Sequence, residues 1–273
     1  MRRWSFVVGA FLILIGIFSF LQVGLNILGI AFRIWWIFWP LILIGVGAWI
    51  VLGVSRRPGR LEAPRESASI SLDGARDAAV TVRHGAGRLT IGLGTGGDQL
   101  LSGTFGGGLD AARTTDSGRL SVIMRVKDRD VSHYIFGPWH RGWTMLDWDF
   151  GLNPGIPLSL RLETGASEAR LALGELQVRE LYVKTGASST TIDLPSHAGH
   201  TRVTVESGAA AVKIRVPAGV AAAIVVRSAL AGVHVDRARF RESAAGYRSA
   251  DFDTAANTAE IFVETGVGSV EIF

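Results

Sequence analysis

The sequence lacks cysteine entirely among its 273 residues. This excludes disulfide bonds and thiolate metal sites, and it is compatible with an oxidising or a reducing compartment. Acidic residues are missing from residues 1–60, which carry six arginines, whereas the remainder carries 22 basic and 24 acidic residues. A nucleic-acid-binding domain would concentrate its own lysines and arginines on one face, so we expect no nucleic-acid partner.

A catalytic constellation is also lacking. Neither a Ser-His-Asp order nor a GxSxG motif occurs, and no Gly-Lys-Ser/Thr follows a glycine-rich stretch. His197 and His200 form an HxxH pair without a third ligand nearby, which disfavours zinc. Asp147 and Asp149 would share one face of a strand, but two exposed aspartates in a loop more often simply face water. We therefore predict no enzyme activity, no cofactor and no metal site.

Two long uncharged stretches open the chain, at residues 4–32 and 34–54. Because a bilayer core of about 30 Å requires roughly 20 apolar helical residues, we predict membrane spans at about 5–25 and 34–54. Residues 1–54 would then form a transmembrane helical hairpin. A cleaved signal peptide is the alternative, but no small-residue cleavage site follows the first stretch.

Arginines flank the predicted hairpin on both sides. Arg2 and Arg3 precede the first span, Arg56 and Arg57 follow the second, and only Arg33 lies between the spans. The positive-inside rule then places both ends of the hairpin in the cytoplasm. The polar, proline-containing residues 55–68 are predicted to be a linker.

A short phrase recurs along the rest of the chain, and each copy centres on a small Thr-Gly-Ala-Ser-like tetrapeptide. Its clearest copies are LETGASEARLALG from 162, VKTGASSTTIDLP from 183, VESGAAAVKIRVP from 205 and VETGVGSVEIF from 263. Apolar and polar residues alternate on both sides of the tetrapeptide, which is typical of strands with one buried face. We expect the tetrapeptide to be a tight turn in which glycine permits the positive φ that a tight corner often requires, and in which the small following residue lets neighbouring corners stack closely. Ala229 stands in place of glycine in one copy, so a positive φ is not expected in every unit.

Each copy carries two aliphatic anchors nine residues apart. Anchors in successive copies are 21, 22 and 21 residues apart from 162 to 226, and the last step is 37. The first anchors are Val82, Leu162, Val183, Val205, Val226 and Val263, and the second are Ile91, Leu171, Ile192, Ile214, Val235 and Ile272. Residues 236–251 are polar and are predicted to be a surface insertion that explains the long step.

This arithmetic predicts an all-β, solenoid-like stacked sheet over residues 69–273, of the right-handed single-stranded β-helix type. Two short strands cannot bury an apolar face alone, whereas stacked rungs at about 4.8 Å share one interior. A β-sandwich is the alternative, and the fixed spacing argues against it. The opposite face is polar and solvated: Arg161, Glu163, Tyr182, Lys184, Asp193, Arg202, Glu206, Lys213 and Arg215.

Three tryptophans, Trp139, Trp143 and Trp148, lie in the predicted insertion 133–158 among glycines and prolines. They could form a partner or ligand surface for a lipid, a peptide or a sugar. The alternative, which we favour, is that this segment caps an open end of the stack and protects the strand edges there.

The segment FWPLILIGVGAWIV at 38–51 resembles the transmembrane region of LiaF-like bacterial membrane proteins. The segment WDFGLNPGIPLSLRLETGASEARLALGELQVRELYVKTGAS at 148–188 is similar to the β-rich toast-rack domain of such proteins. The resemblance implies a role in bacterial cell-envelope stress systems, where relatives modulate a membrane histidine kinase.

Three functional hypotheses follow. The first is a non-enzymatic regulatory or scaffolding protein of the bacterial cytoplasmic membrane, with its β domain on the cytoplasmic side and a protein partner such as a membrane sensor kinase. The second is a structural protein that self-associates, because stacked β-ladders can extend end to end. The third is a ligand-binding module that uses the tryptophan-rich segment.

Overall fold

The computed structural model describes residues 65–127 and 146–273, and these residues form one all-β unit. The predicted hairpin at 1–54 lies outside the described residues. Among those residues, no helix is long and apolar enough to cross a membrane.

Strands β1 to β13 of the described part join in one open sheet. In space they follow the order β1, β3, β6, β2, β7, β8, β9, β13, β10, β12, β11, while β5 pairs with β2 and β4 pairs with β5. Their bounds are β1 Arg65–Ser71, β2 Asp77–Leu93, β3 Gln99–Gly106, β4 Leu109–Asp116, β5 Arg119–Val126, β6 Trp148–Leu152, β7 Pro157–Ala172, β8 Gln177–Asp193, β9 His200–Arg215, β10 Val220–Val235, β11 Arg241–Ser243, β12 Gly246–Arg248 and β13 Asn257–Ile272.

Each repeated phrase forms one strand of 16 or 17 residues, rather than two strands joined by a turn. Residues nine apart on a straight strand point to opposite faces, yet Val183 and Ile192 of β8 are both buried. The alternation shifts at Gly186 and Ala187, which are consecutive exposed residues. We call this point the corner. The N-terminal and C-terminal arms on its two sides bury side chains in the same core.

The predicted rows of anchors are confirmed by the register of the parallel strands. Val82 pairs with Leu162, and the first row continues through Val183, Val205, Val263 and Val226. The second row runs through Ile91, Leu171, Ile192, Ile214, Ile272 and Val235 in the same way. The second row is almost fully buried, with at most 6% exposure.

The order of the rows departs from the order in the sequence. Strand β13, the last in the chain, lies between β9 and β10 and is parallel to both. Residues 236–251, predicted to be a surface insertion, contain β11 and β12, and β12 pairs with Ala223 and Ile224 on the outer side of β10. Phe240 of the same segment is 0% exposed. The segment therefore covers part of this end of the stack.

In four copies, the glycine at the second position of the tetrapeptide is needed for close approach and not for the expected positive φ, which occurs at the fourth position in two copies, at Gly87 (131°) and Gly268 (132°). Gly165, Gly186, Gly208 and Gly266 are absent from the residues with positive φ. A Cβ added to any of the four would lie 2.5 to 3.1 Å from the carbonyl oxygen of the corner glycine on the neighbouring strand. The corners therefore stack too closely for a larger residue without a shift of the backbone.

Candidate interaction surface

A row of charged residues runs along the outer face of the N-terminal arms, one position after each first anchor. We call these residues the charged row. In spatial order they are Arg83, Glu163, Lys184, Glu206, Glu264 and Arg227, each in register with the next. Strand spacing therefore sets these side chains about 4.8 Å apart at their backbone positions.

One end of the charged row is an ion-pair network. Glu163 accepts a hydrogen bond from Arg161 at 2.9 Å and another from Arg83 at 3.0 Å. The Arg161 hydrogen bond, followed by the charge of Arg83, lowers the pKa of Glu163 below its ordinary value. These groups are about one-third to one-half exposed, so each pair contributes little to stability. The network instead orients the side chains on the surface.

In the middle of the charged row, the carboxylates are paired less closely with cations than at the Arg83 end. Lys184 and Glu206 are 3.9 Å apart, and Glu206 lies directly beside Glu264 on the next strand. Among the described residues, Glu264 forms no ion pair of 4 Å or less. Two neighbouring carboxylates repel each other, so this part of the row favours a cationic group from outside.

Aromatic side chains accompany the charged row. The guanidinium of Arg161 lies 4.2 Å from the ring centre of Tyr182, and that of Arg227 lies 5.2 Å from the ring centre of Phe262. Partial burial, with a hydrogen bond to Glu206, raises the pKa of Tyr182 above its ordinary value. The face therefore offers apolar ring surface as well as charge, a combination common in protein interfaces.

A shallow groove follows the corner side of the charged row. It has a volume of about 620 Å³ and is lined by residues of β2, β7 and β8, including Arg83, Glu163 and Lys184. A second groove continues it along Glu206 and Glu264. Small-molecule sites enclose most of their ligand, whereas these grooves lie open on the surface, so their shape suits the side chains of a protein partner.

The C-terminal arms present a different, closely paired surface. Lys213 lies 2.8 Å from Glu271, and Arg215 lies 2.7 Å from Asp193. Lys213 lowers the pKa of Glu271, mainly through their hydrogen bond. The charges on this face compensate each other, which leaves less attraction for a partner than the charged row offers.

The structure places Trp148 in the core, so it does not belong to an exposed partner or ligand surface. Its exposure is 1%, its Nε1 donates to the Gly106 carbonyl at 3.1 Å, and its ring meets that of Phe105 edge-on at 5.2 Å. The reason is alternation in β6, which turns Trp148, Phe150 and Leu152 inward together. Trp139 and Trp143 lie outside the described residues.

His84 is the most deeply buried titratable group of the described residues. It is 1% exposed, and its Nε2 lies 2.7 Å from the Leu146 carbonyl, which makes Nε2 the protonated nitrogen and leaves Nδ1 without a partner. Burial lowers its pKa, although Leu146 and Asp147 act in the opposite direction. The ring is therefore neutral, and it takes the place that Thr164 takes on the next strand.

The residues weighed for metal or catalytic chemistry do not assemble in the described part of the chain. His200 bonds through Nδ1 to the Thr258 hydroxyl at 2.9 Å, and its Nε2 lies 3.8 Å from Glu260. Asp147 lies 3.9 Å from Arg88. Across residues 65–127 and 146–273 there is no group of three potential metal ligands.

Sequence reasoning found part of the charged row and missed the rest. Glu163, Lys184 and Glu206 were expected on the solvated face, whereas Arg83, Arg227 and Glu264 were not. The signal was present, because each of these residues directly follows a first anchor. Their neighbours across the sheet, however, depend on the order of the strands.

Comparisons with known proteins agree with this fold. A solved structure described as a "putative cell adhesion protein" from Clostridium sporogenes is 18% identical and matches with a TM-score of 0.67, over 77% of this chain and 99% of that one. At this identity the likeness shows the fold alone. No curated protein matches the sequence. Residues 59–215 match the family model described as the N-terminal domain of toast_rack, DUF2154. Because this match covers more than half of the sequence, the chain belongs to the toast-rack family.

Proposed function

We propose that this chain is a non-enzymatic regulatory or scaffolding protein, anchored in the bacterial cytoplasmic membrane, that presents its charged row to a protein partner. The observation that carries the proposal is the charged row itself, six ionisable residues in register on one parallel sheet. A sheet with a continuous core holds the backbone of such residues at fixed spacing, so binding of a partner costs little conformational entropy for ordering them.

The membrane part of the proposal rests on the sequence. Two uncharged stretches within residues 1–54 are long enough for a hairpin of two spans, and the flanking arginines favour a cytoplasmic β domain. A reporter that is active only in the cytoplasm, fused after Phe273, is expected to be active. An inactive reporter, with a periplasmic reporter active at the same site, would place the domain on the other side.

The finer family assignment also supports this role. The resemblance of residues 38–51 to LiaF-like proteins suggests the cell-envelope stress response as the setting and a membrane sensor kinase as the partner. The right-handed single-stranded β-helix type stays a prediction within the toast-rack family.

The test is capture of partners from bacterial membranes with the full chain and two charge-reversal variants on the same strand. Glu264→Lys alters the charged row, and Glu271→Lys alters the paired C-terminal face. We expect Glu264→Lys to lose a sensor kinase or another envelope protein, and Glu271→Lys to retain it. The control is stringent because Glu271→Lys breaks a 2.8 Å ion pair, so unfolding would affect it at least as much. Recovery of only lipid and chaperones, or equal recovery by both variants, would contradict the proposal.

A further inference from the structure

The two ends of the stack are covered to different extents. At one end, β5 pairs with the N-terminal arm of β2 and β6 pairs with its C-terminal arm. At the other end, β12 pairs with the N-terminal arm of β10, at Ala223 and Ile224. Among the described residues, the C-terminal arm of β10 has no strand on its outer side. Within residues 65–127 and 146–273, one half of one end is therefore open.

The open half interrupts a row of the core. In register, this inner row contains Leu89, Ala169, Thr190, Val212, Val270 and Val233. The first five are at most 3% exposed, whereas Val233 is 40% exposed. Leu230 and Val267 near the same edge are 79% and 52% exposed. One more strand beside β10 would cover Val233 as its neighbours cover the rest of the row.

Other outer strands carry the charges that discourage edge pairing. These are Arg65 and Glu66 on β1, Asp110, Arg113 and Asp116 on β4, and Arg241 and Glu242 on β11. The segment Leu230–Val235 of β10 has only His234 as an ionisable group and contains no proline. Natural proteins protect exposed edges with charge, proline or short strands, so an apolar edge without them is suited to strand addition.

We propose that this edge pairs with the same edge of a second copy of the chain, antiparallel about a two-fold axis at Val233. Val233 then lies opposite Val233 of the partner subunit, and Gly232 lies opposite the partner's His234. Residues that face each other across an antiparallel pair point to the same side, so the inner row continues into the second copy. No like charges oppose each other in this register.

A two-fold arrangement also follows from the covered end of the stack. Head-to-tail stacking needs a free apolar edge at both ends, whereas the strands that cover the β2 end finish in β1 and β4, whose edges carry the charges named above. A self-complementary edge closes the assembly at two copies and does not extend into a filament. The inference is independent of the partner proposed for the charged row, which lies on the outer face of the N-terminal arms.

A disulfide tests the axis directly in the full chain, purified in mild detergent. The natural sequence has no cysteine, so a single introduced cysteine has no background. Val233→Cys places two thiols opposite each other at about 5 Å between Cα atoms, within disulfide reach. Ser269→Cys, on β13, is the control, because three strand spacings of about 4.8 Å would separate its two copies. We expect a covalent dimer on oxidation for Val233→Cys only.

Charge rescue in trans provides the second test, read by analytical ultracentrifugation. Val233→Lys and Val233→Glu each oppose like charges across the axis, so each is expected to weaken dimerisation by roughly tenfold or more. Mixing the two variants is expected to restore a heterodimer, which a merely misfolded variant would not do. The proposal would be overturned if the natural chain is monomeric, or if both cysteine variants cross-link equally. It would also be overturned if the dimer persists in Val233→Lys, or if mass spectrometry finds a different polypeptide bound to a monomeric chain.

Discussion

At the scale of single residues, the corners show why small side chains recur in each copy. The corner glycines of β7, β8, β9 and β13 each face the carbonyl oxygen of the corner glycine on the neighbouring strand, and Gly165 has the shortest approach, 2.5 Å for an added Cβ. Ala229 takes this place in β10. Because β10 has no described strand beyond it at that corner, its backbone can move outward by the small distance that a methyl group requires.

Replacing a corner glycine should therefore destabilise the fold. We expect Gly165→Ala to lower the free energy of unfolding by about 1–3 kcal/mol, because the added methyl group overpacks a corner held between two strands. Urea unfolding measures the change. Gly92→Ala is the matched control in β2, where a Cβ meets nothing within 4 Å, and it should change stability by less than about 0.5 kcal/mol. Equal losses in both variants would refute the close-approach explanation.

His84 should make stability depend on pH. Its folded pKa lies below the ordinary value of 6.5, so the unfolded chain takes up a proton before the folded chain does. Stability is then independent of this group above the unfolded pKa, and it falls as pH drops from about 6.5 towards the folded pKa. Melting temperatures at neutral and mildly acidic pH would show this fall.

The matched variant for this prediction is His84→Thr, which introduces the residue that the neighbouring strands carry at Thr164 and Thr185. It should melt with a smaller difference between the two pH values, even if its stability at neutral pH is lower. An unchanged pH difference would show that other groups cause it.

At the scale of elements, the position of β13 has the largest consequence. In the order of the sequence, the charged row would alternate strictly in sign, because Glu206 would neighbour Arg227 and Glu264 would come last. Insertion of β13 between β9 and β10 places Glu206 beside Glu264 instead. The anionic part of the candidate interaction surface is thus a product of topology.

Hydrogen exchange can test this placement. Amides of β13 are paired on both sides, so we expect residues 257–272 to exchange as slowly as β8, although they are the last strand of the chain. The outer strand β4, which pairs on one side only, should exchange faster. Exchange of β13 as fast as that of β4 would mean that it lies at an edge.

At the scale of the whole molecule, all rows bury their side chains in one core, and the two ends of the stack are covered by different strands. Anchors on both arms belong to a single buried cluster, which explains why the sheet does not need a second layer from elsewhere. Trp148 and Phe105 contribute large buried side chains near β2, and Phe240 does so near β10. The open half of β10 is the point at which the described fold is incomplete by itself.

The sequence by itself determined the all-β class, the length of each repeat and the register. Each rung needs aliphatic residues at the positions equivalent to Val183 and Ile192, because both positions are buried. Side chains alternate between the two faces of a strand, so a shift of one residue would expose these anchors, and the register is fixed. The solvated face was also predictable, because its charges alternate with the anchors.

Only the tertiary structure decided which rungs are neighbours, that each strand continues through its corner and which side chains cover the ends. Equivalent copies satisfy the same register in any order, so their sequences do not distinguish β9 next to β10 from β9 next to β13. In the structure, the β12 hairpin pairs with the outer side of β10 at Ala223 and Ile224, where a strand in sequence order would otherwise pair with the N-terminal arm. Burial of Trp148 likewise depends on the strands around it, since an aromatic side chain in a loop and one in a core have the same local sequence.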